Sequence, residues 1–277
     1  MFSNKATRPV YIISDGTGIT AGTMSQTLLS QFPATNFERH TIPFVDADDK
    51  VNECIRQINH SYNTHKVRPL VFVSFTDALY KEKIKQANAV VLDLFEPFIP
   101  TMEKLLKADS SHTVGQSHGI TEEVGYTHRI DAINFSMKYD DGVRMEGYKN
   151  ADLILVGVSR AGKTPTSLYM ALHYGLKTAN YPIADDDFEK GSLPEAVINQ
   201  KQKTFGLVID PIQLHKIREA RRPGSQYAKF TQCQSEVRQA QAFYKKYRIP
   251  FADSTVMSIE ELASLVVHRM QLAVSYT

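Results

Sequence analysis

Eight consecutive residues, Gly157-Val158-Ser159-Arg160-Ala161-Gly162-Lys163-Thr164, carry the pattern glycine, four residues, glycine, lysine, threonine. Each fixed position has a chemical use. Glycines at 157 and 162 permit backbone conformations that a Cβ would hinder, so successive N–H groups can turn inward around a phosphate. Lys163 supplies a point charge for phosphates, and the Thr164 hydroxyl suits a hard cation such as Mg²⁺. The pattern requires a strand before it and a helix after it. The apolar run Leu153-Ile154-Leu155-Val156 precedes it, and a helix-competent stretch, Ser167 to Tyr174, follows. A helix N-terminus there adds unpaired donors and partial positive charge. A tight turn with an incidental lysine is the competing reading. With both flanks in place, residues 157–164 are the expected nucleotide contacts.

Further candidates lie downstream. Asp210 ends the apolar strand Phe205 to Ile209, where phosphate-loop enzymes place the acid that holds Mg²⁺ through water. It could equally cap the helix that follows Pro211. Asp185-Asp186-Asp187 follows a strand, Thr178 to Ala184, at the carboxyl end where open α/β sheets bind ligands. Asp186 or a neighbour could act as general base or share the metal, or the three could form a solvated acidic turn. Arg218, Arg221 and Arg222 share one helix at spacings that could present guanidinium forks to phosphate oxygens. The same cations also suit a helix's last turn without any ligand. Ser14-Asp15-Gly16-Thr17-Gly18 joins a strand to a helix but lacks a lysine. His128-Arg129 and Asp131 could serve a site or cap a helix. His112 and His118 have no nearby carboxylate or thiol in sequence, which argues against a metal site.

The elements that must position these groups alternate. Strands are expected at Pro9–Ile13, Phe37–Val45, Pro69–Val73 and Ala89–Leu94, with helices at Ile19–Phe32, Ala47–Tyr62, Asp77–Gln86 and Pro97–Lys107. Residues 108–126 break all periodicity, and Arg129–Tyr139 reads as a helix ending in the turn Asp140-Asp141-Gly142. From Ala151 the alternation resumes. Beyond Asp210 come helices at Ile212–Arg222 and Ser225–Tyr247, a short strand at Ile249–Ala252, and a helix from Ser258 to Gln271, with Ser258 and Glu261 spaced as a capping box. Strands alternating with helices imply parallel sheets and right-handed crossovers. The expectation is an α/β protein of two parallel-sheet units: residues 1–107, a linker and connecting helix over 108–149, and a phosphate-loop, kinase-like domain over 150–277. The two helices after Asp210 could also bury a homodimer face.

Bulk properties narrow the class. The 277 residues are 42% apolar and 22% charged, as in globular proteins. A formal charge of +2 argues against nucleic acid or an anionic membrane as partner. Cys54 and Cys233 form no metal or redox spacing. The start lacks an apolar leader segment, and no apolar run reaches the ~20 residues of a membrane span, so a cytoplasmic location is expected.

These motifs resemble those of one family. Tyr11-Ile12-Ile13-Ser14-Asp15-Gly16-Thr17, Arg68 to Phe72, Arg129-Ile130-Asp131-Ala132-Ile133, Tyr139-Asp140-Asp141-Gly142, Gly157 to Ser167, Asn180-Tyr181-Pro182, Phe205 through Pro211 and Ile217-Arg218-Glu219 stand in its order. The chain is similar, over nearly its whole length, to the phosphoenolpyruvate synthase regulatory proteins, which are related to the pyruvate, phosphate dikinase regulatory proteins. The resemblance implies a bifunctional enzyme. One activity uses ADP to phosphorylate a threonine of phosphoenolpyruvate synthase and inactivates it. The other removes that phosphate with inorganic phosphate, releasing pyrophosphate. Ala161 stands where the family often has cysteine. On this reading Lys163 holds the β-phosphoryl group and Thr164 the Mg²⁺. Asp210 or Asp186 assists the metal or the acceptor, and Arg218 with Arg222 holds phosphate. The fold alone leaves open an ATP-dependent kinase of a small metabolite or a nucleotide sensor, and the dikinase is the alternative target.

Overall fold

The computed structural model describes residues 7–111, 113, 123–142 and 144–273. The chain divides into two compact units, residues 1–119 and 120–277. His112 and His118 lie outside the described residues.

The first unit holds β1 (Arg8–Ile13), α1 (Ile19–Ser30), β2 (Phe37–Ile42), α2 (Asp48–His65), β3 (Leu70–Val73), α3 (Ala78–Ile84), β4 (Val90–Asp93) and α4 (Ile99–Leu106). Its sheet runs β2-β1-β3-β4 with every neighbouring pair parallel. Ile13, Val71 and Val73 on the strands meet Val51 and Ile58 of α2 in one buried cluster, and Val10, Ile12 and Phe72 meet Leu29 of α1 in another. The strands are therefore apolar on both faces, as parallel strands covered by crossover helices must be.

The second unit repeats that winding. It contains α5 (Glu123–Lys138), β5 (Leu153–Gly157), α6 (Lys163–Tyr174), β6 (Thr178–Pro182), α7 (Asp185–Lys190), α8 (Glu195–Ile198), β7 (Thr204–Val208), α9 (Pro211–Arg221), α10 (Phe230–Tyr247), β8 (Phe251–Asp253) and α11 (Ile259–Met270). The parallel sheet runs β6-β5-β7-β8. Every residue of β5 and β7 is buried. From β5 the chain moves to one side and from β7 to the other, so right-handed crossovers put α6 and α10 on opposite faces. The carboxyl ends of β5 and β7 form the switch point where such sheets open a crevice. The 157–164 loop leaves β5 there.

Several boundaries differ from the sequence expectation for physical reasons. Helix α6 begins at Lys163, ahead of Pro165, because a proline in the first turn gives up no intrahelical bond. Helix α10 begins at Phe230, since Ser225 instead caps a short 3₁₀ turn, Gln226–Ala228. The acidic triple is the first turn of α7, where the helix dipole favours negative charge. Helix α5 starts at Glu123 and packs along α6, within the second unit. The Ser258–Glu261 capping box forms as expected.

Candidate active site

The loop between β5 and α6 is fixed by donors that reach its carbonyls from outside. Tyr244 of α10 donates to Val156 O at 3.0 Å and to Leu207 O at 3.1 Å. The Ile183 amide donates to Gly157 O at 3.0 Å. Lys163 Nζ donates to Val158 O at 3.0 Å. Arg218 Nη2 donates to Ser159 O at 3.0 Å, and Ser254 Oγ to Ala161 O at 3.0 Å. Thr166 Oγ1 donates to Gly162 O at 2.8 Å. Arg160 and Gly162 take left-handed backbone angles, φ 80° and 89°. Glycine adopts that region freely, whereas for arginine it costs about 1–2 kcal/mol. The Ala161 amide closes a turn within the loop on Val158 O at 3.2 Å, and the first amides of α6 have no intrahelical partner.

Beside the loop lies a cavity of about 520 Å³. Its cations are Lys163 at the floor with Arg160, Arg221 and Arg222 around it, and its carboxylate is Asp141. Ile217 and Tyr227 give it an apolar wall. Such a balance suits a phosphorylated ligand with a flat apolar part. Lys163 is only 5% exposed. Burial pushes its ammonium down to about 8, against the opposing pull of Asp141 and Asp140.

At the other end of the loop, Thr164 Oγ1 donates to Asp140, 3.0 Å from Oδ1 and 3.2 Å from Oδ2. Asn180 Nδ2 also donates to Asp140 Oδ1, and Asn180 Oδ1 accepts the Asp141 amide at 3.0 Å. Burial, and then the neighbouring Asp141 charge, hold the Asp140 carboxyl above the ordinary carboxylate value. In the sequence, Asp140 and Asp141 read only as a turn and as part of a family motif. The available signal was two adjacent acids closing a helix just before the loop's own strand.

The other expected groups are placed differently. Asp210 does not line the cavity; its Oδ1 accepts the Ile212 and Gln213 amides at 2.9 and 3.1 Å, capping α9. Asp186 is exposed and also lies off the cavity, while buried Asp187 accepts Tyr181 Oη at 2.7 Å and the Ala184 amide at 2.9 Å. Arg218 is fully buried, beneath the cavity's lining. It pairs with Glu236 through Nη1–Oε1 at 3.0 Å and Nη2–Oε2 at 2.7 Å, donates from Nη1 to Tyr227 O at 3.0 Å, and faces the Tyr227 ring at 4.1 Å. With Nε and Nη2 on Ser159 O, its five N–H groups are spent. Arg218 therefore holds the loop, and Arg221 and Arg222 face the ligand space.

In the first unit, the polar side chains of the Ser14–Gly18 turn are satisfied locally. Ser74 Oγ donates to Ser14 Oγ at 3.0 Å, and Asp15 Oδ2 accepts the Thr76 amide and hydroxyl at 2.6 and 2.8 Å. Among the described residues no group of three or more His, Cys, Asp or Glu could close around a metal, and no helix is long and apolar enough to cross a membrane.

A family model described as kinase/pyrophosphorylase matches residues 10–267. A relative from Cupriavidus metallidurans is 46% identical over 265 residues, covering 96% of this chain and 98% of its own. One from Legionella pneumophila (strain Corby) is 45% identical over 260 residues, 94% of this chain and 96% of its own. Both bear, provisionally, the name phosphoenolpyruvate synthase regulatory protein.

Proposed function

Since this chain belongs to the kinase/pyrophosphorylase family, we propose that it regulates phosphoenolpyruvate synthase by two opposed phosphoryl transfers at the 157–164 loop. In one, the β-phosphoryl group of ADP passes to a threonine hydroxyl of the synthase, which is inactivated, and AMP leaves. In the other, inorganic phosphate attacks the phosphothreonine, giving back the hydroxyl and releasing pyrophosphate. The observation that carries this reading is the 157–164 loop between β5 and α6, with buried Lys163 on it and a cation-rich cavity beside it.

The residues divide the work. Loop amides and Lys163 hold the diphosphate and offset its charge, which is most of what phosphoryl transfer asks of a protein. Arg221 and Arg222 give the cavity a second anion-binding wall for inorganic phosphate or phosphothreonine. Asp141, the carboxylate at the cavity, takes the acceptor's proton in one direction and returns it in the other. Mg²⁺ fits the oxygen donors at Thr164, and when bound it would neutralise phosphate charge.

The test is to incubate the protein with ADP and phosphoenolpyruvate synthase and map phosphothreonine by mass spectrometry. ATP as donor and pyruvate, phosphate dikinase as target complete the set. Lys163→Ala should lose both reactions, by a factor of roughly a hundred or more, as expected when a preorganised charge is removed. Full ADP-dependent phosphorylation by that variant refutes the reading, and labelling with ATP alone would redirect it.

A further inference from the structure

We infer that Asp140, held by Asn180, is the acid that supports Mg²⁺ at Thr164, and that Asp210 is a helix cap only. The inference rests on the proposed nucleotide site and adds the group that completes it.

The geometry gives four reasons. First, Thr164 has a single proton, and it goes to Asp140. Its hydroxyl oxygen therefore keeps its lone pairs for a cation, the arrangement that makes a threonine an effective hard-metal ligand. Second, the donor set is all oxygen. Mg²⁺ keeps several waters and needs only one or two protein groups besides phosphate, so a hydroxyl with one adjacent carboxylate suffices. Third, Asp140 is oriented rather than loose. Asn180 sits wholly buried in β6, opposite Leu155 of β5. Its amide group spans the turn, donating to Asp140 and accepting from the Asp141 amide. Tyr148 Oη donates to Asn180 O at 2.9 Å, and the Asn180 amide donates to Tyr139 O at 3.1 Å. A buried asparagine in a strand centre would be costly without such partners. Its side chain spends both of these bonds on positioning this one turn, as side chains that aim a metal's acid do.

Fourth, the alternative acid caps a helix through one of its oxygens. Asp210 Oδ1 takes two helix amides, and its own amide donates to Thr255 Oγ1 at 2.8 Å. These bonds tie it to α9 and to Thr255, whereas the Thr164 hydroxyl bonds Asp140. Asp140 lies in the turn that precedes the loop's own strand, bonded to Asn180 of β6, which flanks β5 on the side away from β7.

The experiment measures ADP affinity of the full chain by calorimetry, with saturating Mg²⁺ and with chelator. The wild type should bind ADP about tenfold or more tightly with Mg²⁺, a difference of roughly 1.4 kcal/mol. In Asp140→Asn the two affinities should converge, while binding without metal stays within about threefold of wild type. Asn180→Ala should lose most of the Mg²⁺ effect, and Asp210→Asn, which keeps a capping oxygen, should retain it. Asp140→Ala carries the same expectation as the amide and serves should that variant not fold. Manganese bound with ADP, followed by electron paramagnetic resonance, should give a broadened bound signal in wild type and Asp210→Asn but not in Asp140→Asn. Retention of the full Mg²⁺ effect in the Asp140 variants, or its loss in Asp210→Asn instead, overturns the inference. ADP binding that ignores Mg²⁺ in the wild type overturns it while leaving the nucleotide site standing. No ADP binding at all removes both.

Discussion

A lysine buried to this degree carries a proton only at a cost. The Lys163 amine titrates near 10.5 when exposed and about 8 in the folded chain, chiefly through burial. Below pH ~8 the amine is charged in both folded and unfolded states, so the whole penalty is present. Between about 8 and 10.5 the unfolded chain binds more protons, and stability rises with pH across that window relative to Lys163→Met. Denaturant unfolding of both proteins over that range checks the sign. A diphosphate favours the charged amine, so binding ADP should take up a proton at about pH 9 and almost none at about pH 6. Calorimetry in two buffers of different ionisation enthalpy reads this directly, and equal heats at the higher pH would refute it. At this scale the loop residues were legible, because glycine, lysine and threonine at fixed spacing have few other uses. Asp140 was not. Its meaning comes from Thr164 and Asn180, far along the chain, and no local pattern announces that meeting.

Among elements, α9 and α10 do the holding. Arg218 and Glu236 form a buried pair between them that also grips Ser159 O. Removing one member leaves the other charged and buried, so Glu236→Ala should destabilise the second unit by about 3–5 kcal/mol. Chemical denaturation monitored by far-ultraviolet dichroism measures it, and a loss below about 1 kcal/mol would mean the pair is not what closes α9 on the loop. Helix α10 also lays Tyr244 across β7. A Cβ on Gly206 would sit 2.8 Å from that ring, so nothing larger than glycine fits without moving it. Gly206→Ala should cost roughly 1–3 kcal/mol and weaken nucleotide binding, since Tyr244 is the donor to Val156 O. Unchanged affinity with lowered stability would separate the two effects. Sequence periodicity gave these helices and strands their types and approximate places. It placed the arginines on one helix but could not say which of them turns inward, because Arg218 is directed by Glu236 on a different helix.

For the whole molecule, alternation of strand and helix was enough to read two parallel α/β units, and both wind as 2-1-3-4 in their own order. Where the chain divides was less legible, since residues 108–126 carry no periodic pattern to mark an edge. Each unit has its own buried clusters, so ligand binding should be felt unequally. ADP at about a hundred times its dissociation constant should add about 2.7 kcal/mol to the stability of the second unit. Hydrogen exchange should slow in β5, β6 and β7 and leave the β1–β4 sheet close to its ligand-free rates; uniform slowing of both sheets would contradict this. The engaged carbonyls of residues 156–159, 161 and 162 have one more outcome. Their donors come from α6, α9, α10 and the segments after β6 and β8, so the cradle is drawn taut by guy-ropes anchored across the fold. Little ordering remains for an arriving phosphate to impose, and affinity becomes a property that distant anchor points can alter without any of them touching the ligand.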